Sequence, residues 1–584
     1  MKRAVLVAVT LLLSIASIAQ VKISVPTVGL NDTFSTSEQA VIFQVTNASP
    51  QPAVYKVEVQ LRWVLEKVDR TVARHKFTVA LGPSEARRIE FPMAVPVYGA
   101  NSVRILAFDT NGRELARREL KDPKNPLWSS SSSIIAGLCD DRMPHCTHIW
   151  TSILANSNDE QTDRKQKKLS LIGVRNPGAH YWNYTPARYV ILAQSAASLS
   201  PEIRHGIEEH VRMGGVLIWA SKEVGPTDWL AAYRDDKPES TRVMGRGIVY
   251  AIPSIDSPLL SQLFNRETMN DSSTYTTTLR VPAIASGTYG FESRFKTHFD
   301  FPSLPWLLLW LLAYILVAGV ANFAILRRLR RLEWGWLTVP AIAIIFAAMI
   351  FFISSARRPR NIILDQVAHY HMDTHSPVAA ASWSVRVSSP SKVDLVLDAP
   401  SDAVWNLGVA SSTFSATDIA REVFERQAEE NAPELRYGHR TEYPIDLLRW
   451  SYEDVSLEGF RTFKGSIMRV SPTVLRNETG IDFRAAMFVE NDTKLAYMLD
   501  RVPAGAEIDL SKFKGEDIVE LMKREKERAE KRKPDEPYRL AEILSNGANG
   551  TAFYALADGP TLGATLQNSN PEQHDASLFV VGME

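Results

Sequence analysis

Four residues able to bind a metal ion alternate along one short stretch: His369, His371, Asp373 and His375, within His369-Tyr370-His371-Met372-Asp373-Thr374-His375. On a β-strand successive side chains point to opposite faces, so these four would project together from one face. Imidazoles and a carboxylate suit Zn²⁺ or Cu²⁺. Ligands two apart on one strand splay in a row, however, and rarely close a tetrahedron unaided. A solvated polar face is the expected reading, with a metal site as the alternative.

Two further groups carry chemistry-bearing side chains. Cys139 and Cys146 are the only cysteines. In an oxidising compartment a bridge between them would contribute ~2–3 kcal/mol, and a disulfide is the expected state. A metal site completed by His145 and His148 is the weaker reading, since Cys-x6-Cys is loose for zinc. Two free thiols are the third. His205, Glu208, Glu209 and His210 share a helical stretch, but in neither of the zinc-protease spacings. Five residues set the two histidines about 140° apart around a helix, which argues against a shared metal, and both are expected to face solvent. No catalytic, cofactor-binding or metal-ligating residue is assigned, and no cofactor is expected.

The elements that would position these groups are arranged about a membrane hairpin. Leu304–Leu326 (residues 304–326) is apolar and long enough to cross ~30 Å of hydrocarbon at ~1.5 Å per residue. Arg327, Arg328, Arg330 and Arg331 follow in a link over 327–333, and a second span occupies 334–354. Residues 1–20 have the layout of a secretory signal: Lys2 and Arg3, an apolar core from Ala4 to Leu13, then small residues to Ala19. Export of the chain beyond residue 20 places the arginine link in the cytoplasm, in line with the positive-inside tendency. Both large regions are then extracytoplasmic, anchored at the inner membrane. Arg357, Arg358 and Arg360, just past the second span, run against that orientation. Trp306, Trp310, Trp334 and Trp336 suit the interfaces. Formal net charge is zero over 584 residues, which gives no case for nucleic-acid binding.

Residues 21–122 read as short strands: Ala40–Thr46, Tyr55–Leu65, His75–Ala80, Arg87–Phe91 and Val103–Asp109. Turn signals separate them, which suggests an immunoglobulin-like β-sandwich. From 130 to 268 the texture changes to alternating strands and helices. Buried-type strands are expected at Ser133–Leu138, Leu169–Val174, Tyr189–Ala193, Val216–Ala220 and Ile248–Ile252. Ser200-Pro201-Glu202 opens a helix with an N-cap serine, a first-turn proline and an acid, and Gly214-Gly215 closes it. This pattern argues a parallel α/β sheet.

The run YVILAQSAASLSPEIRHGIEEHVRMGGVLIWAS, followed by GRGIVYAIP, resembles the class I glutamine amidotransferase-like domains of bacterial envelope proteins. The resemblance implies a flavodoxin-like sheet. A working amidotransferase carries a cysteine on a tight strand-to-helix elbow, with glycines beside it and a histidine–acid pair downstream. Here the third strand exits into Ala193-Gln194-Ser195-Ala196-Ala197, with neither cysteine nor glycine, and Cys139 follows an earlier strand. Ser195 is the only substitute nucleophile at the elbow. A degenerate binding or structural domain is expected.

The string GVANFAILRRLRRLEWGWLTVP resembles an uncharacterised family of bacterial two-span membrane proteins. Its marks here are Asn322, Leu326-Arg327-Arg328, Glu333 with Trp336, and Pro340. Asn322 is expected to hydrogen-bond across the hairpin and Glu333 to pair with an arginine. Residues 362–515 read as a β-rich exported domain, with Trp383–Val387 and Lys392–Leu397 its clearest strands, and VLRNETGIDFRAAMFVENDTKLAYMLDRVPAGAEIDL fits the same family. Phe483–Val489 and Leu495–Leu499 are further strands. A charged surface helix, Gly515–Lys533, opens the remaining segment, 515–584.

The fold expected is therefore multidomain: an exported β-sandwich, an α/β domain, a two-helix membrane hairpin and a mainly-β C-terminal region. The function expected is non-catalytic binding or complex assembly in the envelope, with protein partners. The alternatives are an amidotransferase-like or hydrolytic enzyme with an unrecognised nucleophile, and an accessory subunit of an ABC-type transport system.

Overall fold

The computed structural model describes residues 21–28, 39–65, 68–93, 102–121, 134–138, 170–173, 178–185, 187, 189–224, 240–255, 257, 260, 304–356, 360–401, 403–406, 434–448, 451–531, 551–559 and 563–583. The expected signal segment, Cys139, Cys146, His145, His148, Arg357 and Arg358 lie outside them. The architecture is mostly β-sheet, with a two-helix apolar hairpin in the middle of the chain.

The N-terminal strands are β1 (Gln39–Asn47), β2 (Ala53–Leu65), β3 (Val68–Leu81), β4 (Ala86–Met93), β5 (Ser102–Phe108) and β6 (Glu114–Lys121). Along β2 the residues Tyr55, Val57, Val59 and Leu61 are buried while those between them are not, the period-2 signature of a strand with one core face. β1 pairs with β4, and β3-β2-β5-β6 pair in a second sheet. One apolar cluster draws Val41, Phe43 and Val45 from the first sheet and Val57, Val59, Val103 and Ile105 from the second.

Next come β7 (Ile134–Leu138), β8 (Ser170–Gly173), β9 (Tyr189–Leu192), α1 (Pro201–Arg212), β10 (Val216–Ala220), β11 (Ser240–Met244) and β12 (Gly247–Ile252). Their sheet has the order β8-β7-β9-β10-β12-β11, parallel except for β11. The Ser200 hydroxyl caps α1 by accepting from the Ile203 amide at 3.4 Å. Ile207 and Val211 of α1 pack on Val190, Leu192, Leu217 and Val249. The alternate residues Tyr189, Ile191, Val216 and Ile218 are buried on the opposite face. Both faces are covered, which is why these strands read as unbroken apolar runs.

The hairpin begins with α2 (Leu304–Ile315), widens into a π-helical turn over Leu316–Ala321, and continues as α3 (Asn322–Arg328). After a tight link, α4 (Gly335–Ala356) returns. Leu308–Arg328 and Leu332–Phe352 are long and apolar enough to cross a membrane. Trp310 and Tyr314 meet Phe346 edge-on between the two helices.

The C-terminal region contains β13 (Ile363–Asp373), β14 (Val378–Ser389), β15 (Val393–Pro400), β16 (Glu434–Tyr437), β17 (Arg440–Leu447), β18 (Ser451–Thr462), β19 (Ala485–Glu490), β20 (Leu495–Leu499), α5 (Ile518–Lys531), β21 (Ala552–Ala557) and β22 (Glu572–Gly582). A nine-stranded sheet carries β18-β14-β13-β22-β21-β19-β20 in that order. β13 and β22 run parallel in continuous register from Ile363↔Glu572 to Asp373↔Gly582. Leu364, Ala368, Tyr370 and Met372, one face of β13, join Phe488, Phe553 and Phe579 in the largest core. The charged helix starts at Ile518 rather than Gly515, because Gly515–Asp517 pairs as a strand with β20. Its Ile518 and Leu521 cover Met487, Tyr554 and Val580.

Strand pairing also crosses the hairpin in sequence. β16 lies parallel to β3, from Glu434↔Arg74 to Tyr437↔Phe77, so one eight-stranded sheet runs from β6 through to β17 and β15.

Candidate functional site

The strand-end elbow is the first place to seek chemistry. β9 leaves the sheet at Ala193, whose amide donates to the Leu138 carbonyl at 3.0 Å. Ser195 is exposed and closes a short turn: its carbonyl accepts from the amide and hydroxyl of Ser198 at 3.0 and 2.6 Å. α1 then runs back along the sheet, so His210 lies near the start of β10, about 15 Å along the helix from Ser200. A Cβ on Gly215 would lie 2.2 Å from His210 Nε2, which places that ring at the strand-start edge, opposite Ser195. The structure does not bring these two together.

His210 also departs from expectation. It is buried, not solvent-facing, and burial pushes its pKa down to about 4, partly offset by a hydrogen bond to the Ala187 backbone. His205 is the exposed member, 3.2 Å from Glu209. The reason is tertiary: the His210 ring lies against Tyr184, 6.0 Å between centroids, and the Ala187 backbone, while Arg212 at the end of α1 makes a second contact, with the C-terminal sheet.

That second contact holds a buried polar cluster. Arg212, the last residue of α1, donates through Nη1 to Asp373 Oδ2 at 2.8 Å, with side-chain exposures of 3% and 2%. Asp373 Oδ2 also accepts from the Gly245 amide at 3.2 Å, and its Oδ1 accepts from the His375 amide at 2.8 Å. Glu208 accepts from Arg212 Nη2 at 2.9 Å. Gly245 has φ +60°, and a Cβ there would come within 2.9 Å of the Arg212 backbone, so the turn that aims its amide at Asp373 requires glycine.

The alternating row is therefore real over three residues and buried rather than solvated. His369, His371 and Asp373 share the face of β13 turned toward the α/β sheet. The strand ends at Asp373, and His375 is exposed in the following turn. Arg246 donates to Ser382 Oγ at 3.1 Å and lies 3.9 Å from Glu458. Burial, reinforced by Arg246, lowers the pKa of His369 to about 3 and that of His371 well below its usual value. Among the described residues neither ring nitrogen of His371 has a hydrogen-bond partner. Among the described residues no group of three or more His, Cys, Asp or Glu side chains is arranged to hold a metal ion. With Asp373 engaged by Arg212 and the imidazoles beside Arg246, the local field disfavours a cation. The cluster is suited to docking one unit on another.

A second junction lies at β3–β16. Tyr437 stacks on Phe77 with ring centroids 4.6 Å apart, and its hydroxyl is 3.0 Å from His75 Nδ1. Lys76 donates to Glu434 at 2.6 Å. In the hairpin, Asn322 Nδ2 donates to Thr338 Oγ1 at 2.9 Å, the cross-helix bond expected of it. Glu333 is exposed, and no arginine among the described residues pairs with it.

Arg212, Arg246, Gly245 and Tyr437 are not singled out by sequence reasoning. Glu208–Arg212 has the spacing of an ordinary surface pair, and nothing local marks it as buried. The one legible signal was Asp373 within the alternating row.

No family model matches this chain, and no curated protein matches it. Among solved structures it is similar to a β-glucosidase from Listeria innocua in complex with glucose, at 16% identity, covering 18% of this chain and 16% of that one, with a TM-score of 0.13. It is also similar to the Pseudomonas fluorescens alkylpurine DNA glycosylase AlkC bound to DNA containing an abasic site analogue, at 17% identity over 18% and 30% of the two chains, TM-score 0.14. A β-glucosidase from Kluyveromyces marxianus matches at 15% identity over 18% and 14%, TM-score 0.14. Each match spans a small part of both chains.

Proposed function

We propose that this chain is a non-catalytic membrane protein of the cell envelope whose soluble regions bind and assemble protein partners on the outer side of the inner membrane. The hairpin holds them there, with Arg327, Arg328, Arg330 and Arg331 on the cytoplasmic side. In this reading residues 21–122 form an immunoglobulin-like sandwich. The order β8-β7-β9-β10 supports a flavodoxin-like sheet, read here as one that lacks the amidotransferase nucleophile.

The observation that carries the proposal is the buried Arg212–Asp373 pair. It joins a helix that precedes the hairpin to a strand that comes after it, which supports both lying on one side of the bilayer. The setting of Ser195 supports the non-catalytic part, since it sits on an open turn without glycine and away from His210.

The test treats membranes carrying the full chain with a fluorophosphonate probe, then extracts and sizes the protein. The expected result is no adduct on Ser195 and a complex with a second protein in fixed stoichiometry. A Ser195 adduct accompanied by ester or amide turnover, both lost in Ser195→Ala, would reverse the proposal. Extraction as the lone chain would remove its assembly part.

A further inference from the structure

We propose that the face of the first span around Gly319 binds an anionic phospholipid, with its phosphate held by Arg327 and Arg328; this rests on the hairpin crossing a bilayer. Ile315, Gly319, Val320, Phe323, Ala324, Arg327 and Arg328 line one groove on this helix. Its floor is Gly319, within the π-helical turn, where an added Cβ would meet nothing within 4 Å. Toward the second span this helix presents Asn322, which donates to Thr338, whereas Val320 and Phe323 of the groove are exposed. From Gly319 to Arg327 and Arg328 is about 12–13 Å along the helix, close to one leaflet's ~15 Å of hydrocarbon. An acyl chain lying against Ile315, Gly319 and Phe323 would therefore bring its headgroup level with the two guanidinium groups.

Those groups are available. The helix end is closed by its own backbone: Arg330 donates to the Arg327 carbonyl at 3.1 Å and Arg331 to the Leu326 carbonyl at 3.0 Å. This is a glycine-type C-terminal turn with an arginine, Arg330, at the left-handed position, φ +54°. Arg327 and Arg328 are thus not needed to cap carbonyls, both are exposed, and neither has a carboxylate partner among the described residues. A neighbouring apolar helix would fill the groove but leave both charges unmet. A phosphodiester meets both, through the planar fork that guanidinium offers to phosphate.

The test uses the full chain extracted in mild detergent and native mass spectrometry with phosphatidylglycerol or phosphatidylcholine added. Wild type is expected to retain one phosphatidylglycerol in preference to phosphatidylcholine. Gly319→Leu, which fills the groove, and the double variant Arg327→Gln/Arg328→Gln should each lower retention roughly tenfold. Arg330→Gly removes a charge outside the groove and should retain the lipid. Equal retention of the two lipids, or wild-type retention by Gly319→Leu, overturns the site. So does a loss in Arg330→Gly equal to that in the double variant, which would mean diffuse surface attraction. A second chain cross-linked through Val320→Cys in place of lipid overturns it as well. Alkaline carbonate extraction separates the two readings: release from membranes sinks the hairpin itself, whereas an integral chain without lipid sinks only this site.

Discussion

Arg212 and Asp373 are 161 residues apart in sequence and 2.8 Å apart in space, each almost completely removed from solvent. Between them the chain makes both apolar helices. Asp373 receives N–H groups from Arg212, Gly245 and His375, so its charge is met from three directions. A buried pair of this kind is costly to break, because whichever partner remains is left charged in a dry contact.

Asp373→Asn and Arg212→Met are each expected to destabilise the docked body by roughly 3–5 kcal/mol. The double variant Arg212→Met/Asp373→Leu should recover much of that loss. Urea unfolding of the full chain in detergent, followed by tryptophan fluorescence, measures both. Single variants that unfold at the wild-type midpoint would show that the pair does not hold the units together.

Stability should fall with acid. His75, His210, His369 and His371 are buried neutral, with pKa values of about 3, about 4 and about 3 for the first three and well below the usual value for His371. Their pKa is depressed on folding, so the unfolded chain binds more protons below about pH 6.5. Stability is intact above that pH and is lost progressively as pH falls toward about 3. A histidine at about 3 costs roughly 2 kcal/mol by pH 5. His371→Leu removes two unpartnered nitrogens and should flatten the pH dependence without loss at neutral pH. Melting temperatures at pH 7.5 and 5.0 give the comparison, and an unchanged slope in the variant would contradict the assignment.

Asn322→Leu removes the hydrogen bond to Thr338 between the two apolar helices. The expected cost is about 0.6 kcal/mol and at most about 1.7, the average and the maximum for such bonds in bilayers. Thr338→Val should cost a similar amount, and the double variant little more than either. Fully additive losses in detergent unfolding would mean that the two side chains act independently.

Sided labelling tests the proposed orientation. In a background with Cys139→Ser and Cys146→Ser, an impermeant thiol reagent should reach Ser511→Cys in intact cells from which any outer barrier has been stripped. Arg331→Cys should react only after the membrane is opened. Both positions are exposed. The opposite pattern would invert the topology and remove the envelope reading.

Local features were legible where local energetics decide them. The two apolar helices show in composition, each with the ~20 apolar residues that suffice to cross hydrocarbon. The Ser200 cap and the Gly214 stop announce α1, and Pro201–Arg212 is helical as expected. Tyr55–Leu65 and Val216–Ala220 are strands because their apolar spacing admits little else. The alternating row at His369, His371 and Asp373 likewise comes from strand period alone.

What covers each face was not legible. Nothing near Asp373 in the chain says that the end of α1 and the Gly245 turn will bury it, and nothing near His210 distinguishes it from exposed His205. β21 is a short apolar run and β22 is apolar only toward its end, in a segment whose charge suggests a helix, yet β22 pairs with β13 over eleven positions. The residues at the end of the chain thus complete the sheet that begins after the hairpin, as β16 completes the one that begins before it. Periodicity and capping act over a few residues and are written locally. Strand partnership and burial depend on surfaces brought together across hundreds of residues, so only the tertiary structure decided that Arg212 meets Asp373.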